Sequence, residues 1–316
     1  MLNESRFPFL IEVPGVSDQA IEKLLFYFNE NKQWTSSILN TYGAILFRGG
    51  KINAKNYATL ISKLNFDFTS YVGGDSPRTK LNAKVYTSTE YSADQNIVLH
   101  NELSFSNTYP KYLFFYCDTP SKTGGETPIA DSRILYKLLP EKLIREYQAK
   151  KLKYVMNLHN GHGFGKSWQQ VFETNSKSEI EEILYNRNIS FQWRRDEGLQ
   201  VYEIVQPVFS HYTTKELMFI SQAHQWHCSN LEPEVRASLL EYTPEQEFYH
   251  YVSYGDDQPL NISDLELTKE VINQIKIEYK WQQGDILFVD NLLCLHGRNS
   301  YIGNRKILVS MANSWL

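Results

Sequence analysis

Apolar and polar positions along this chain follow two periods, and each predicts its own elements. VSDQAIEKLLFYFNE (16–30), NAKNYATLISKLNF (53–66), TTKELMFISQAHQWHCSN (213–230) and SDLELTKEVINQIKIEY (263–279) space their apolar residues at helical intervals. SRILYKLLPEKLIREYQAKK (132–151) does the same, with a break expected at Pro140. TYGAILFRGG (41–50), KYLFFYC (111–117) and GDILFVDNLLCLHG (284–297) are short apolar runs bounded by turn residues, which predicts core strands. From 152 onward strand and loop signals dominate. There is no internal repeat, low-complexity tract or linker, so the pattern predicts one α+β domain over 1–316 with a dominant β core. Helices gather in a lead-in over 1–40 and as insertions between strands.

Composition narrows the function classes. Of 316 residues, 21 are Tyr and 17 Phe, which favours strands and aromatic-lined pockets over a helical bundle. A net charge of -4 lacks the basic footprint of a nucleic-acid binder. Cys117, Cys228 and Cys294 are odd in number and widely spaced, which predicts buried free thiols rather than a disulfide framework or a zinc ribbon. No signal-peptide pattern opens the chain and no run of eighteen apolar residues occurs, so the expected location is the cytoplasm, with no membrane partner.

The candidate chemistry begins in VLHNELSFSN (98–107). His100 and Glu102 stand two apart in a strand-like stretch and so share a face. A buried hydrogen-bonded pair would explain them, and so would a metal. His296, at the end of another apolar run, supplies the distant imidazole of a triad of two His and one carboxylate, the facial pattern of non-haem Fe(II) oxygenases. Two more stretches favour the metal. TGGETPIAD (123–131) offers the Thr127 hydroxyl after a Gly pair, and HGRNSYIGNRKILVSM (296–311) offers Arg305. A guanidinium and a hydroxyl together can grip a carboxylate such as the far end of 2-oxoglutarate.

These stretches, in order, resemble the taurine dioxygenase (TauD/TfdA) family of Fe(II)/2-oxoglutarate oxygenases. The resemblance runs from about Tyr42 to the C-terminus through YVGGDSPRTKL (71–81), VYTSTEYS (85–92), LHNELSFS (99–106), GGETPIADSR (124–133) and GDILFVDN…HGR…GNRKILVSM (284–311). It implies a double-stranded β-helix (jelly roll) with helical insertions. It also implies His100, Glu102 and His296 as iron ligands, Thr127 as a 2-oxoglutarate contact, and Arg305, or Lys306 one position on, as the carboxylate clamp. Arg298 would join the cosubstrate site or brace the metal loop. 2-Oxoglutarate and O₂ would be cosubstrates, and the reaction hydroxylation, with desaturation or epoxidation as alternatives. Taurine fits poorly, because the position four beyond Arg305 is Val309 rather than an arginine. Glu102 argues against the related halogenases, which have a small residue there. HNE and HGR look closer to the syringomycin-type branch, which hydroxylates amino acids, free or tethered to a carrier protein, in natural-product assembly. A metal-free jelly-roll binding protein and a zinc hydrolase are the rivals from other classes.

Other stretches carry weaker expectations. HQWHC (224–228) has His224, His227 and Cys228 at helical spacing but no complementary ligands, so a packed or surface helix is expected rather than zinc. NLHNGHGFGKSW (157–168) reads as a mobile loop and candidate lid, with Asn157 and Trp168 either exposed or touching substrate. Arg78 and TSTE (87–90) either face the pocket or hold the chain by ion pairing, and Asp290 and Asn291 either orient the His296 loop or end a strand. No substrate-binding residue is assigned.

Overall fold

The computed structural model describes residues 7–69 and 78–316; positions 71–77 of the YVGGDSPRTKL stretch lie outside the described residues. Among the described residues a seven-stranded sheet runs in the order Phe9–Val16, Ala44–Lys51, Ile286–Asp290, Tyr112–Thr119, Lys306–Trp315, Phe66–Phe68, with Tyr86–Thr87 joined to Lys306–Trp315. Only the first pair, Phe9–Val16 with Ala44–Lys51, is parallel.

The central strands read as continuous apolar runs because both faces of this sheet are covered. Ile45, Phe47, Phe114, Tyr116, Ile286 and Phe288 point to a core shared with the N-terminal helices. Their neighbours Leu46, Leu113, Phe115, Leu287, Val289 and Ile307 point the opposite way, into a core shared with Ile129, Cys294, Tyr279 and Trp281. That second core joins the large sheet to a three-stranded sheet of Ile97–His100, Cys294–Arg298 and Ile129–Asp131. A four-stranded sheet, Ser190–Trp193, Leu199–Val205, Leu152–Leu158 and His250–Tyr254, completes the main framework. The result is a mixed α/β fold with substantial strand content.

Helix ends follow local chemistry. Asn53 and Asn56 form a reciprocal capping box at the start of Ala54–Lys63. Lys32–Tyr42 stops at Gly43, which takes a left-handed conformation. Pro140 splits the predicted 132–151 helix into Ser132–Leu138 and Glu141–Lys150, as its missing N–H requires. Cys117, Cys228 and Cys294 are free and buried, as expected. No helix among the described residues is long and apolar enough to cross a membrane.

Several expectations need correction. Residues 213–230 do not form one helix: Lys215 adopts a positive φ of 59°, and Leu217–Phe219 pairs with Val208–Ser210. A single turn, Ala223–Trp226, and a 3₁₀ turn, Cys228–Asn230, follow. The helix expected over 263–279 ends at Ile275, because Ile277 exchanges backbone hydrogen bonds with Ile129. The 284–297 run divides into Ile286–Asp290 and Cys294–Arg298, which belong to different sheets. The lead-in contains the strand Phe9–Val16, in which Ile11 and Val13 are buried at period two. Lys177–Asn186 and Pro233–Tyr242 are helices in a region read as strand and loop.

The first core is dense in aromatic rings. Phe114 is fully buried, stacked on Phe288 at 4.6 Å between centroids and edge-on to Phe66 at 5.1 Å. Phe114→Ala should therefore cost about 3–5 kcal/mol in urea unfolding; a loss under about 1 kcal/mol would show that this cluster is not what fastens the helices to the sheet.

Candidate metal centre

The site begins with a strand pairing. Ile97–His100 and Cys294–Arg298 are antiparallel, with His296 directly opposite His100. The two rings lie 4.8 Å apart between centroids. Gly297 permits that approach: a Cβ there would lie 2.5 Å from the Ile97 carbonyl oxygen, closer than real contacts allow. Glu102 follows just past the strand end, and its carboxylate oxygen comes 3.6 Å from His296 Nε2. Asn291 holds this corner. Its Oδ1 accepts from the Glu102 N–H at 2.7 Å, and its Nδ2 donates to the carbonyls of Glu102 and Pro110. Asn101 Nδ2 donates to the Asn291 carbonyl at 2.6 Å. Asp290 caps the turn by accepting from the N–H groups of Leu292 and Leu293, so both residues before the distal imidazole orient its loop.

Hydrogen bonding leaves the donors in a form that suits a cation. His100 Nδ1 lies 2.8 Å from the Val98 carbonyl, which can only accept, so Nδ1 carries the proton and Nε2 keeps its lone pair. Burial, reinforced by the neighbouring His296, lowers the His100 pKa to about 4, so this imidazole is neutral at pH 7. The His296 ring is placed by packing, 5.1 Å from the Phe115 ring. Burial pushes the Glu102 carboxyl up, but Arg78 and His296 outweigh it and hold the group well below the ordinary carboxylate range. Arg78 donates to Glu102 at 2.7 Å, and both side chains are buried. Two imidazoles and one carboxylate converge so that their ligand atoms lie within 4.8 Å of one another, a donor set that fits a divalent metal.

A second pocket opens from the same residues. Thr127, Phe115, Ile307, Arg298 and Arg305 line it together with His100, Glu102 and His296. Trp281 Nε1 donates to the Thr127 hydroxyl oxygen at 3.1 Å, which leaves the hydroxyl hydrogen for another acceptor. Arg305 Nε donates to the Gly125 carbonyl at 2.8 Å. Gly125 has φ +71°, and a Cβ there would meet Arg305 Cδ at 2.9 Å, so glycine is what lets the guanidinium pass. Burial and the nearby Arg298 lower the Arg305 pKa to about 10, and among the described residues no carboxylate pairs with it. Lys306 points the other way, 3.2 Å from Asp118 and half exposed, so the register favours Arg305. Arg298 donates to the carbonyls of Thr89, Tyr91, Ser92 and Gln95, tying the 89–95 loop to the metal strand. Of the two roles offered for Arg298, bracing is the one its hydrogen bonds carry out.

Elsewhere the outcome is mixed. His227, Cys228 and Glu245 form a second convergent group, with Glu245 supplying a third donor that the sequence did not suggest. Its hydrogen bonds run against a metal. His227 Nδ1 accepts the Ser229 backbone N–H, so Nε2 carries the proton and donates to Glu245 at 3.2 Å, while Arg236 donates to Cys228 Sγ. This is a closed clasp. His224 faces inward and donates to the Leu99 carbonyl at 2.8 Å. Asn157 and Trp168 neither lie on the surface nor reach the cleft. Asn157 Nδ2 is bound to the Gln246 and Phe248 carbonyls, and Trp168 packs on Trp193, because the 159–167 loop caps the four-stranded sheet rather than the metal site. A cleft of about 790 Å³ does reach His100 and Glu102, lined also by Phe105, Gln222, Trp226 and His250. Sequence reading assigned none of these four to substrate.

The family model described as "Taurine catabolism dioxygenase TauD, TfdA family" matches residues 14–311. The dapdiamide synthesis protein DdaC of Enterobacter agglomerans is 32% identical over 275 residues, 87% of this chain and 83% of that protein. The clavaminate synthase-like protein At3g21360 of Arabidopsis thaliana is 27% identical, over 96% of this chain and 93% of its own length. A crystal structure of asparagine oxygenase with Fe(II), 2S,3S-3-hydroxyasparagine and succinate aligns with a TM-score of 0.54 at 11% identity, covering 94% of this chain and 84% of that one.

Gly297→Ala should keep the fold but weaken Co(II) binding at least tenfold, because the added methyl separates His296 from His100. Cys228→Ser should leave Co(II) stoichiometry and spectrum unchanged, whereas a lost thiolate-to-cobalt band would place a metal at the clasp. Stability of the metal-free protein should fall as pH drops from 6.5 towards 4. His100 and His224 are both depressed to about 4, so in this window the unfolded chain binds protons that the folded one refuses. Each group contributes a slope approaching roughly 1.4 kcal/mol per pH unit; denaturation midpoints unchanged between pH 6.5 and 4.5 would contradict this.

Proposed function

The chain belongs to the TauD/TfdA family of Fe(II)/2-oxoglutarate-dependent oxygenases, and from that premise we propose that it hydroxylates an amino acid or an amino-acid-like small molecule, free or carrier-bound, in natural-product biosynthesis. In this reading 1–316 is one oxygenase domain built on a double-stranded β-helix. The sandwich of the seven-stranded and three-stranded sheets, with His100 and His296 on the latter, supports it. Names among the relatives support the substrate class: DdaC is a dapdiamide synthesis protein, and the asparagine oxygenase holds a hydroxylated amino acid.

The observation that carries the reading is the half-buried Arg305 guanidinium, which no carboxylate among the described residues neutralises, in the pocket that also contains the His100, Glu102 and His296 side chains. A cation drawn partly out of water is costly unless an anion joins it. 2-Oxoglutarate brings a carboxylate of the right sign to meet Arg305 and the free hydrogen of Thr127. His100, Glu102 and His296 would hold iron where the two cavities meet. When bound, iron with 2-oxoglutarate and O₂ supplies the oxidant, with succinate and CO₂ as coproducts. Around it the chain positions and shields. Trp281 orients the Thr127 hydroxyl, Phe115 and Ile307 line a water-poor wall, and Arg78 and Asn291 fix Glu102 from its carboxylate and its backbone.

Succinate release from 2-oxoglutarate under air with Fe(II) tests the reading. Arg305→Ala should raise the KM for 2-oxoglutarate roughly ten- to a hundred-fold, the scale of a lost charge-assisted hydrogen bond. Thr127→Val should raise it less, and Lys306→Ala should leave it unchanged. Absence of 2-oxoglutarate-dependent succinate, or an effect at Lys306 equal to that at Arg305, would refute the assignment.

A further inference from the structure

The two cavities that meet at His100 and Glu102 differ in sign. The cosubstrate pocket is lined by three guanidinium groups, Arg78, Arg298 and Arg305. The larger cleft, about 790 Å³, has on its wall, besides the Glu102 that Arg78 pairs, two acids, Asp94 and Glu232, and among its described lining residues there is no lysine or arginine. Arg236, on the helix that borders it, is turned to Cys228. From this partition we propose that the prime substrate is an amino compound whose carboxyl group is masked as an amide or a thioester, and that free α-carboxylates are excluded. The proposal rests on the oxygenase reading above and names the chemistry its cleft accepts.

The wall of the cleft argues the same way. Ser104 donates to Gln222 Oε1, and Gln222 Nε2 donates to Gln225 Oε1. With its oxygen thus occupied, Gln225, which lines the cleft, has its Nε2 hydrogens left to offer as donors. A neutral carbonyl is the natural acceptor for an amide donor that no cation assists. A bare carboxylate would enter a cavity bearing Asp94 and Glu232 and find no lysine or arginine among its described lining residues, whereas an ammonium would be attracted to these two exposed acids. Anionic 2-oxoglutarate is drawn to the other cavity, so charge alone sorts cosubstrate from substrate on the two sides of one centre.

The test uses the anaerobic Fe(II)·2-oxoglutarate form of the full chain and a panel of the twenty proteinogenic amino acids. Each is supplied as the free acid, the C-terminal amide, the N-acetylcysteamine thioester and the N-acetylated amide. Binding is read from the shift of the visible charge-transfer band. For at least one side chain the amide or the thioester should bind at least tenfold more tightly than the free acid, and N-acetylation should cost fivefold or more. Thioester over amide identifies a carrier-type source and amide over thioester a free amide; both support the proposal. In the Asp94→Lys/Glu232→Lys double variant, whose two positions are exposed, the order should shift towards the free acid. Free acids binding as tightly as their masked forms, an unmoved order in the double variant, or no response from any member would overturn it. A missing band before substrate is added would sink the oxygenase reading alone, and calorimetry of the same panel on the metal-free protein would still decide the charge preference.

Discussion

The register between Ile97–His100 and Cys294–Arg298 is the constraint on which the rest depends. It places His296 opposite His100 and brings the Glu102 carboxylate within 3.6 Å of His296 Nε2. A slip of one residue would turn His296 away from the cavity, since side chains alternate faces at every step. Two features secure it from outside the pair. Cys294–Arg298 is bonded on its other edge to Ile129–Asp131, which fixes Thr127 nearby, and Asn291 binds the backbone of Glu102 from the turn that precedes Cys294–Arg298. The seven-stranded sheet then closes the site from behind, with Phe115 against the His296 ring.

Electrostatics adds a second layer to that geometry. The centre holds a neutral His100 imidazole, a carboxylate kept ionised by Arg78, and a half-buried Arg305 guanidinium with no acidic partner among the described residues. Such an arrangement is a poor way to stabilise a fold and a good way to attract an anion and a divalent cation together. The His227–Cys228–Glu245 clasp is the instructive contrast. Its donor types would suit zinc, yet hydrogen bonding puts the imidazole proton on the very nitrogen that would have to ligate. Tautomer separates the two clusters where residue identity does not.

Much of the site was legible in sequence because its residues sit on strands or in turns with strong signals. His100, Glu102 and His296 stand out as polar groups at the ends of apolar runs, and the Gly124–Gly125 pair announces the turn before Thr127, both glycines taking positive φ. The core strands were legible for the same reason, being apolar on both faces. What was not legible depends on tertiary contacts. TTKELMFISQ carries helical and strand periods at once, and only the positive φ at Lys215 and the pairing with Val208–Ser210 decide for a hairpin. Trp281, Gln222 and His250 reach the site from segments with no motif of their own, and Trp226 lies within HQWHC, which stood out only for its His and Cys residues. Arg78 and Arg298 looked alike as cations near a pocket, and only their partners, a carboxylate for one and four carbonyls for the other, tell them apart.

The most direct test of the centre is anaerobic titration of the metal-free protein with Fe(II) and 2-oxoglutarate, followed by the weak visible charge-transfer band of the chelate. The account predicts a band at one iron per chain in the wild type, its loss in His100→Ala, and its weakening at fixed 2-oxoglutarate in Arg305→Ala. A wild-type protein that binds iron but gives no band, or a band that survives His100→Ala intact, would contradict it.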